Sequence, residues 1–110
     1  MKAIMYHYVR PDHPDLPFFR HLHVDDFRQQ LDYFAKHFHF VSVVELSQAL
    51  SSGSPVTDGI VLTFDDGFKD HYRFVLPELT KRGIPGIFYV STYPYVTGRL
   101  LDVHRIHVLI

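Results

Sequence analysis

The chain lacks cysteine entirely, and this absence removes several kinds of chemistry. Without thiols the protein can form no disulfide, use no thiol nucleophile and build no cysteine-ligated zinc site. An excess of charge of one sign is also missing, since the formal net charge is −1 with histidine neutral. The lysine and arginine residues are scattered rather than clustered. A footprint for a phosphate backbone is therefore absent, and we expect no nucleic-acid partner.

Long apolar runs are missing as well. Nothing in the sequence approaches the roughly 20 consecutive apolar residues that cross a bilayer, so we expect no membrane span. The apolar start, residues 1–9, is too short for a signal peptide and is interrupted by Tyr6, His7 and Tyr8. These absences predict a soluble protein with a cytoplasmic location.

Histidine and aromatic side chains are abundant. The chain has nine histidines, and aromatic residues make up 15% of its 110 residues. Metal binding and sugar stacking would both suit this mixture, although surface histidines and core aromatics explain most of it. The length and the 46% hydrophobic content are ordinary for one globular domain.

Strand patterns and helix patterns alternate along the chain. We expect strands over residues 2–9, 40–43, 60–64 and 86–91, and loops over 10–23, 54–59 and 93–98. Helices are expected over 24–38 and over 100–110. Another should begin at a capping box formed by Ser42 and Glu45 and end at a left-handed cap at Gly53. A further helix should run from residue 72 to Gly83, with its main part beginning at Pro77. The continuous apolar run 2–9 is typical of a strand buried on both faces. This alternation predicts an α/β fold with a parallel sheet.

The most informative stretch is TFDDG at residues 63–67. An apolar strand delivers two carboxylates, Asp65 and Asp66, at its C-terminal end, where active sites of parallel α/β folds assemble. Adjacent strand residues point to opposite sides, so one carboxylate could hold a divalent metal while the other accepts a proton from the attacking water. A simple turn at Gly67 is the alternative interpretation. Because the following segment is helical, the hairpin version of that alternative is excluded.

Three stretches together resemble the NodB-type polysaccharide deacetylases of carbohydrate esterase family 4. TFDDG matches the first motif of that family, residues 5–9 (MYHYV) resemble its opening strand, and residues 83–90 (GIPGIFYV) resemble the strand after the motif. The similarity covers residues 1–110 in the right order and spacing. It implies the N-terminal part of a catalytic domain and the first part of a distorted (β/α) barrel. The implied activity is metal-dependent hydrolysis of N-acetyl groups from a carbohydrate.

The resemblance also implies roles for single residues. Asp65 corresponds to the catalytic base, and Asp66 corresponds to a ligand of the metal, which is usually zinc. In this family the remaining metal ligands are two histidines spaced i and i+4 in a second motif. An arginine motif and the histidine that acts as the catalytic acid come later in the family's sequences. None of these motifs has a match in this sequence. A complete barrel usually needs about 200 residues or more. We therefore expect that the chain is truncated and that it is inactive alone.

Three histidines remain open to more than one interpretation. His7 lies at the exit of the first strand and could contact substrate or pack in the core. His104 and His107, three apart on a helix, face the same way and could share a metal with Asp66 in a different metal hydrolase. A structural role is the favoured interpretation for both, because their spacing does not fit the family motif. A further alternative is a non-catalytic carbohydrate-binding or regulatory module. The sequence predicts neither the sugar nor the oligomeric state.

Overall fold

The computed structural model describes residues 1–56 and 58–109. Thr57, in the predicted loop 54–59, and Ile110, at the end of the predicted last helix, lie outside the described residues. The strands and helices follow in the order β1 (Lys2–Tyr6), β2 (Val9–Arg10), β3 (Leu22–His23), α1 (Val24–His37), α2 (Val43–Ser52), β4 (Ile60–Phe64), α3 (Leu76–Arg82), β5 (Gly86–Phe88), α4 (Tyr93–Thr97) and α5 (Asp102–Leu109). A π-helical turn, His71–Val75, leads directly into α3.

A parallel sheet with the strand order β1-β4-β5 forms the centre of this described part. Tyr6 pairs with Phe64, and Phe64 pairs with Phe88, so the three strands end together at one edge. Helices occupy the connections between these strands, as parallel pairing requires. A short parallel pair, β2-β3, precedes α1. The predicted α/β class with a parallel sheet is confirmed.

Strand β4 is the centre of the hydrophobic core. All of its residues are buried, and other strands pair with both of its edges. Its side chains Ile60, Leu62 and Phe64 share one cluster with residues of the flanking elements, namely Tyr6, Val9, Phe27, Leu31, Val75, Leu79 and Ile84. Burying one large apolar side chain contributes about 1.5–3 kcal/mol. The core therefore fixes the strand end that carries the two carboxylates.

The predicted boundaries of α2 are confirmed by its hydrogen bonds. Glu45 N donates to Ser42 Oγ at 3.1 Å, and Ser42 N donates to Glu45 Oε2 at 2.8 Å, which completes the capping box. Gly53 ends the helix with a left-handed φ of 68°. Pro77 lies in the first turn of α3, as predicted. No helix in the described part of the chain is long and apolar enough to cross a membrane.

The predicted strand 2–9 is wrong in length and in burial. β1 stops at Tyr6 because β4 stops at Phe64, and Asp65 N donates the last bond of this ladder to Tyr6 O. β1 is also an edge strand, and Met5, which points to the face opposite the buried Tyr6, is 61% exposed. The predicted strand 86–91 is shortened for the same reason, since β5 ends at Phe88 beside the end of β4.

Three other segments differ from their predictions. The predicted strand 40–43 is reduced to a bridge between Phe40 and Ile60, because Ser42 already caps α2. The predicted loop 10–23 contains β3 at its end. The predicted loop 93–98 contains α4, where Pro94 occupies a position favourable for a helix start. Its tyrosine, valine and threonine residues are weak helix formers, and for that reason the pattern did not indicate a helix.

The π-helical turn changes which residues of the predicted helix 72–83 are buried. Val75 and Leu79 are buried as expected, whereas Tyr72 is 77% exposed and Leu76 is 41% exposed. A π turn is wider than an α turn, so it rotates the side chains that precede it relative to those of α3. This rotation leaves His71 buried beneath the end of the sheet, with contacts to the rings of Phe64 and Phe88.

Candidate active site

The two adjacent carboxylates directly follow the central strand. Backbone hydrogen bonds hold both sides of this strand end: Asp65 N donates to Tyr6 O at 3.0 Å, and Tyr89 N donates to Phe64 O at 2.8 Å. Asp65 and Asp66 are both partly buried. They therefore lie at the carboxyl edge of a parallel sheet, where ligand sites of α/β folds are usually built.

The chain turns sharply at Asp66. Its φ is 78° and that of Gly67 is 64°, so two consecutive residues adopt the left-handed conformation. Aspartate tolerates this conformation better than most residues, and such strain is concentrated at functional sites. A Cβ on Gly67 would lie 3.0 Å from Val90 Cγ1, so a larger residue here would also require Val90 to shift.

Asp66 borders two cavities, whereas Asp65 lines the smaller of them. The larger cavity, about 520 Å³, is lined by Asp66 together with His7, Tyr8, Phe18, Arg20, Val103, His104 and His107. The smaller, about 460 Å³, is lined by Asp65, Asp66, Tyr89, Val90 and Ser91. The two spaces meet at Asp66, and Asp65 lies on the side of the smaller one. A pair of neighbouring carboxylates in such different surroundings can perform different tasks.

His7 lies against Asp66. Its Nδ1 is 3.0 Å from Asp66 Oδ2, and its side chain is about half exposed. A hydrogen bond fixes the backbone of His7: Nε2 of the buried His71 donates to His7 O at 2.7 Å. A carbonyl oxygen can only accept, so His71 carries a proton on Nε2. His7 therefore lines the larger cavity, as its position after the first strand suggested, and it contacts the predicted metal ligand.

His104 and His107 enter the same cavity from α5 but meet different partners. His104 Nε2 lies 3.5 Å from Asp66 Oδ2. His107 Nδ1 lies 3.1 Å from the hydroxyl of Tyr8. Their spacing of three residues places both histidines on one face of the helix. Of these two, only His104 lies close to Asp66 in the described part of the chain.

Tyr8 is fixed by aromatic and cationic neighbours. Its ring stacks on Phe68 with centroids 4.3 Å apart, and the Arg10 guanidinium lies 5.0 Å from its centroid. Burial raises the pKa of the Tyr8 hydroxyl, Arg10 opposes this shift, and the nearby carboxylates of Asp66 and Asp70 reinforce it. The hydroxyl therefore keeps its proton at neutral pH and can donate it in the hydrogen bond to His107.

Several residues around the cavity were not predicted from the sequence. They are Tyr8, Phe18 and Arg20 in its wall, the ion pair of Arg10 with Asp70 at 2.6 Å, and the buried His71. No local pattern connects residue 10 with residue 70. One general signal was present, because the segments after β1 and after β4 must meet at the same edge of a parallel sheet. That rule brings residues 7–10 next to residues 66–70.

The larger cavity offers few ligands for a metal ion. Within residues 1–56 and 58–109, no group of three or more histidine, aspartate or glutamate side chains could hold a metal ion. Asp66 and His104 offer two donor atoms 3.5 Å apart, and both types of donor are common ligands of zinc. The donor chemistry therefore fits a divalent metal in part, with two candidate ligands from this part of the chain.

Solved structures with a similar fold include deacetylases. No protein-family profile matches the sequence, and no curated protein matches it. The structure of IcaB from Ammonifex degensii is similar, with a TM-score of 0.68 and 30% sequence identity over 91% of this chain and 41% of that one. The Streptococcus pyogenes deacetylase PplD, solved in complex with acetate, has a TM-score of 0.67 and 26% identity over 96% of this chain and 50% of that one.

A third similar structure agrees in fold alone. It is a de-N-acetylase from Aggregatibacter actinomycetemcomitans, with a TM-score of 0.68 and 18% identity over 91% of this chain and 41% of that one. The chain thus spans between 41% and 50% of the length of these structures. The resemblance to the N-terminal portion of polysaccharide deacetylases, predicted from the TFDDG motif and its flanking strands, is confirmed by these similarities.

Proposed function

We propose that this chain is the N-terminal part of a metal-dependent deacetylase that hydrolyses N-acetyl groups of a carbohydrate. One observation carries the proposal: Asp65 and Asp66 follow the central strand of a parallel sheet, and Asp66 lies where two cavities meet. The similarity to the deacetylase PplD, whose structure contains acetate, supports the choice of reaction.

In this proposal Asp66 holds the metal, and zinc is the expected ion. Its carboxylate lies at the junction of the two cavities, and a histidine nitrogen lies at ligand spacing from it. When bound, the cation would polarise the acetyl carbonyl and favour ionisation of water near neutral pH. The left-handed turn at Asp66 directs this carboxylate away from the strand direction and into the larger cavity.

Asp65 acts as the general base. Within the described ranges its side chain forms no hydrogen bond, so its oxygens are free to accept a proton from the attacking water. The leaving nitrogen needs a proton in return. The resemblance assigns that task to a histidine in a later motif, outside the stretches matched here. His7 at the cavity wall would contact the substrate or hold Asp66 in place.

We also propose that residues 1–110 form the first part of a larger barrel domain. The sheet order β1-β4-β5 leaves β1 and β5 as edges within the described residues, and a barrel closes by pairing such edges. The similar structures are each at least about twice as long as this chain, which supports the same proposal.

The test separates the base from the metal ligand in the complete enzyme. Asp65→Asn keeps the shape of the side chain but cannot accept the proton, so acetate release from an N-acetylated oligosaccharide should fall at least about 100-fold. Metal content, measured by elemental analysis of the purified protein, should stay at the wild-type level. Asp66→Asn should lower both activity and metal content.

Asp26→Asn on the exposed face of α1 is the matched control, and it should change neither quantity. Near wild-type turnover by Asp65→Asn would show that Asp65 is not the base. If the wild-type enzyme bound the oligosaccharide and released no acetate, the carbohydrate-binding module would replace the deacetylase as the better proposal.

A further inference from the structure

We propose that His104 of α5 is a second protein ligand of the cation held by Asp66. The inference rests on the metal requirement of the proposed function but is independent of the substrate. It also departs from the expected ligand set, because the resemblance assigns the histidine ligands to a pair spaced i and i+4 in another motif. His104 and His107 are three residues apart and do not form such a pair.

The distance between the two side chains is compatible with a shared cation. His104 Nε2 lies 3.5 Å from Asp66 Oδ2, whereas a charge-assisted N–H···O bond is usually about 2.7–2.9 Å long. Zinc ligands lie about 2.0–2.1 Å from the ion in tetrahedral geometry, so two ligand atoms are about 3.3–3.4 Å apart. The observed separation therefore suits two ligands of one ion.

The ring of His104 is already held in this position. The residue is 9% exposed, and its ring centroid lies 4.8 Å from that of Phe68 and 6.0 Å from that of Tyr8. Its backbone amide donates to Leu101 O in the first turn of the helix. A buried imidazole fixed by aromatic neighbours loses little conformational freedom when it binds an ion, so the site is preorganised on this side.

The carboxylate of Asp66 is fixed from the other side. His7 Nδ1 lies 3.0 Å from the same oxygen, Oδ2, and the backbone of His7 is held by the buried His71. A carboxylate oxygen has two lone pairs, so Oδ2 can accept from His7 and still bind a cation. Metal-binding carboxylates are commonly hydrogen-bonded in this way. We therefore assign His7 to orienting Asp66 and His104 to binding the ion.

His107 differs from His104 in its position, because of these two histidines only His104 lies within 4 Å of an Asp66 oxygen in the described part of the chain. His107 Nδ1 is 3.1 Å from the Tyr8 hydroxyl, which is itself fixed by its ring contacts. His107 lies on the same helix and lines the same cavity as His104. It therefore provides a matched control for any substitution at position 104.

The experiment places a thiol at each histidine in turn. The chain has no cysteine, so a thiolate-to-cobalt charge-transfer band can arise only from the introduced residue. The His104→Cys variant of the 110-residue chain should develop this band on titration with Co²⁺ and saturate at one ion per chain. The band should be absent from His107→Cys and from His104→Cys combined with Asp66→Asn.

A second measurement uses the unsubstituted side chain. Calorimetry with Zn²⁺ should show weak binding, since two protein ligands are fewer than the three or more of a tight site. His104→Ala should weaken this binding at least about tenfold, while His107→Ala should change it less than about twofold. In NMR spectra of the wild-type chain, Zn²⁺ should shift the imidazole signals of His104 and leave those of His107 in place, even if a variant fails to fold.

Two results would overturn the inference. One is a charge-transfer band of equal strength in both cysteine variants, and the other is Zn²⁺ binding that is unchanged by His104→Ala. The outcome can be separated from that of the proposed function. If Zn²⁺ binding depended on His104 while the complete enzyme released no acetate, the ligand assignment would stand and the deacetylase proposal would fail.

Discussion

At the scale of single residues, Asp65 and Asp66 differ in their neighbours although they are adjacent in the chain. Oδ2 of Asp66 has a histidine nitrogen on either side, at 3.0 Å from His7 and at 3.5 Å from His104. Asp65 lines the smaller cavity together with Tyr89, Val90 and Ser91, and Asp66 borders this cavity as well. A carboxylate held by neighbours suits the binding of an ion, whereas a free carboxylate suits proton transfer. This difference is the physical basis for dividing the two roles.

The turn after these carboxylates can be tested with two glycines that have nearly the same φ. Gly67 (64°) has Val90 within 3.0 Å of an added Cβ, whereas Gly53 (68°) has no atom within 4 Å. Both alanine variants should lose about 1 kcal/mol of stability from the left-handed conformation. Gly67→Ala should lose an additional amount, about 1 kcal/mol at most, because the half-exposed Val90 must shift slightly.

Urea unfolding of the wild type, Gly67→Ala and Gly53→Ala measures this difference. Equal losses of free energy in the two variants would show that the contact between residue 67 and Val90 contributes nothing. Because Val90 also lines the cavity of Asp65, the comparison reports how tightly this wall of the site is packed.

At the scale of helices and strands, the sequence predicted the elements whose signals are local. Apolar residues that recur every three or four positions predicted helix α1. The spacing of Ser42 and Glu45 predicted where helix α2 begins. Strand lengths were overestimated because a strand ends where its partner ends. β1 and β5 both stop beside Phe64, although the sequence continues with the strand-forming residues Tyr8, Val9, Tyr89 and Val90. No local pattern contains the length of the partner strand.

The capping box of α2 predicts a dependence of stability on acid pH. Hydrogen bonds from the Ser42 backbone amide and then from His39 lower the pKa of Glu45 from 4.5 to about 2. Because the pKa is lower in the folded state, the contribution of Glu45 is complete above about pH 4.5. It should be lost as the pH falls through about 2.

Unfolding free energies of the wild type and Glu45→Gln, measured at intervals from pH 7 to pH 2, provide the test. The advantage of the wild type should be constant near neutral pH and should shrink below about pH 4.5. An advantage that stayed constant down to pH 2 would mean that the Glu45 carboxylate is not held by the helix start.

At the scale of the whole molecule, the candidate site combines residues that are far apart in sequence. His7, Asp66 and His104 come from three separate segments, and the parallel register brings the first two together. The resemblance to the deacetylases supplied Asp65 and Asp66 from one motif. The approach of His104 to Asp66 follows from the packing of α5 against Phe68 and Tyr8, for which the sequence has no signal.

Buried charge elsewhere in the molecule has a structural explanation. Glu78 on α3 is 7% exposed, and Arg28 on α1 donates to it at 2.7 Å. This hydrogen bond lowers the pKa of Glu78 and raises that of Arg28. Glu78 does not line either cavity of the site. The pair therefore joins two helices of the core and is no candidate for catalysis.

The distribution of exposed apolar side chains predicts that the 110-residue chain self-associates. They are concentrated in residues 88–109, where Val96 is 82% exposed and Leu109 is 84% exposed. β1 and β5 also present strand edges in the described part of the chain. Contiguous apolar surface and open edges both drive association, so the apparent mass should rise with protein concentration.

Two double variants locate the surface responsible for this association. Val96→Lys with Leu109→Lys should lower the apparent mass in size-exclusion chromatography with light scattering. Val43→Lys with Leu50→Lys is the matched control on α2, where the side chains are 68% and 77% exposed. The control should have a smaller effect, because these two residues lie outside the apolar segment. A wild-type chain that remained monomeric at every concentration would contradict the prediction. Equal effects of the two double variants would show that net charge, rather than the surface of residues 88–109, controls association.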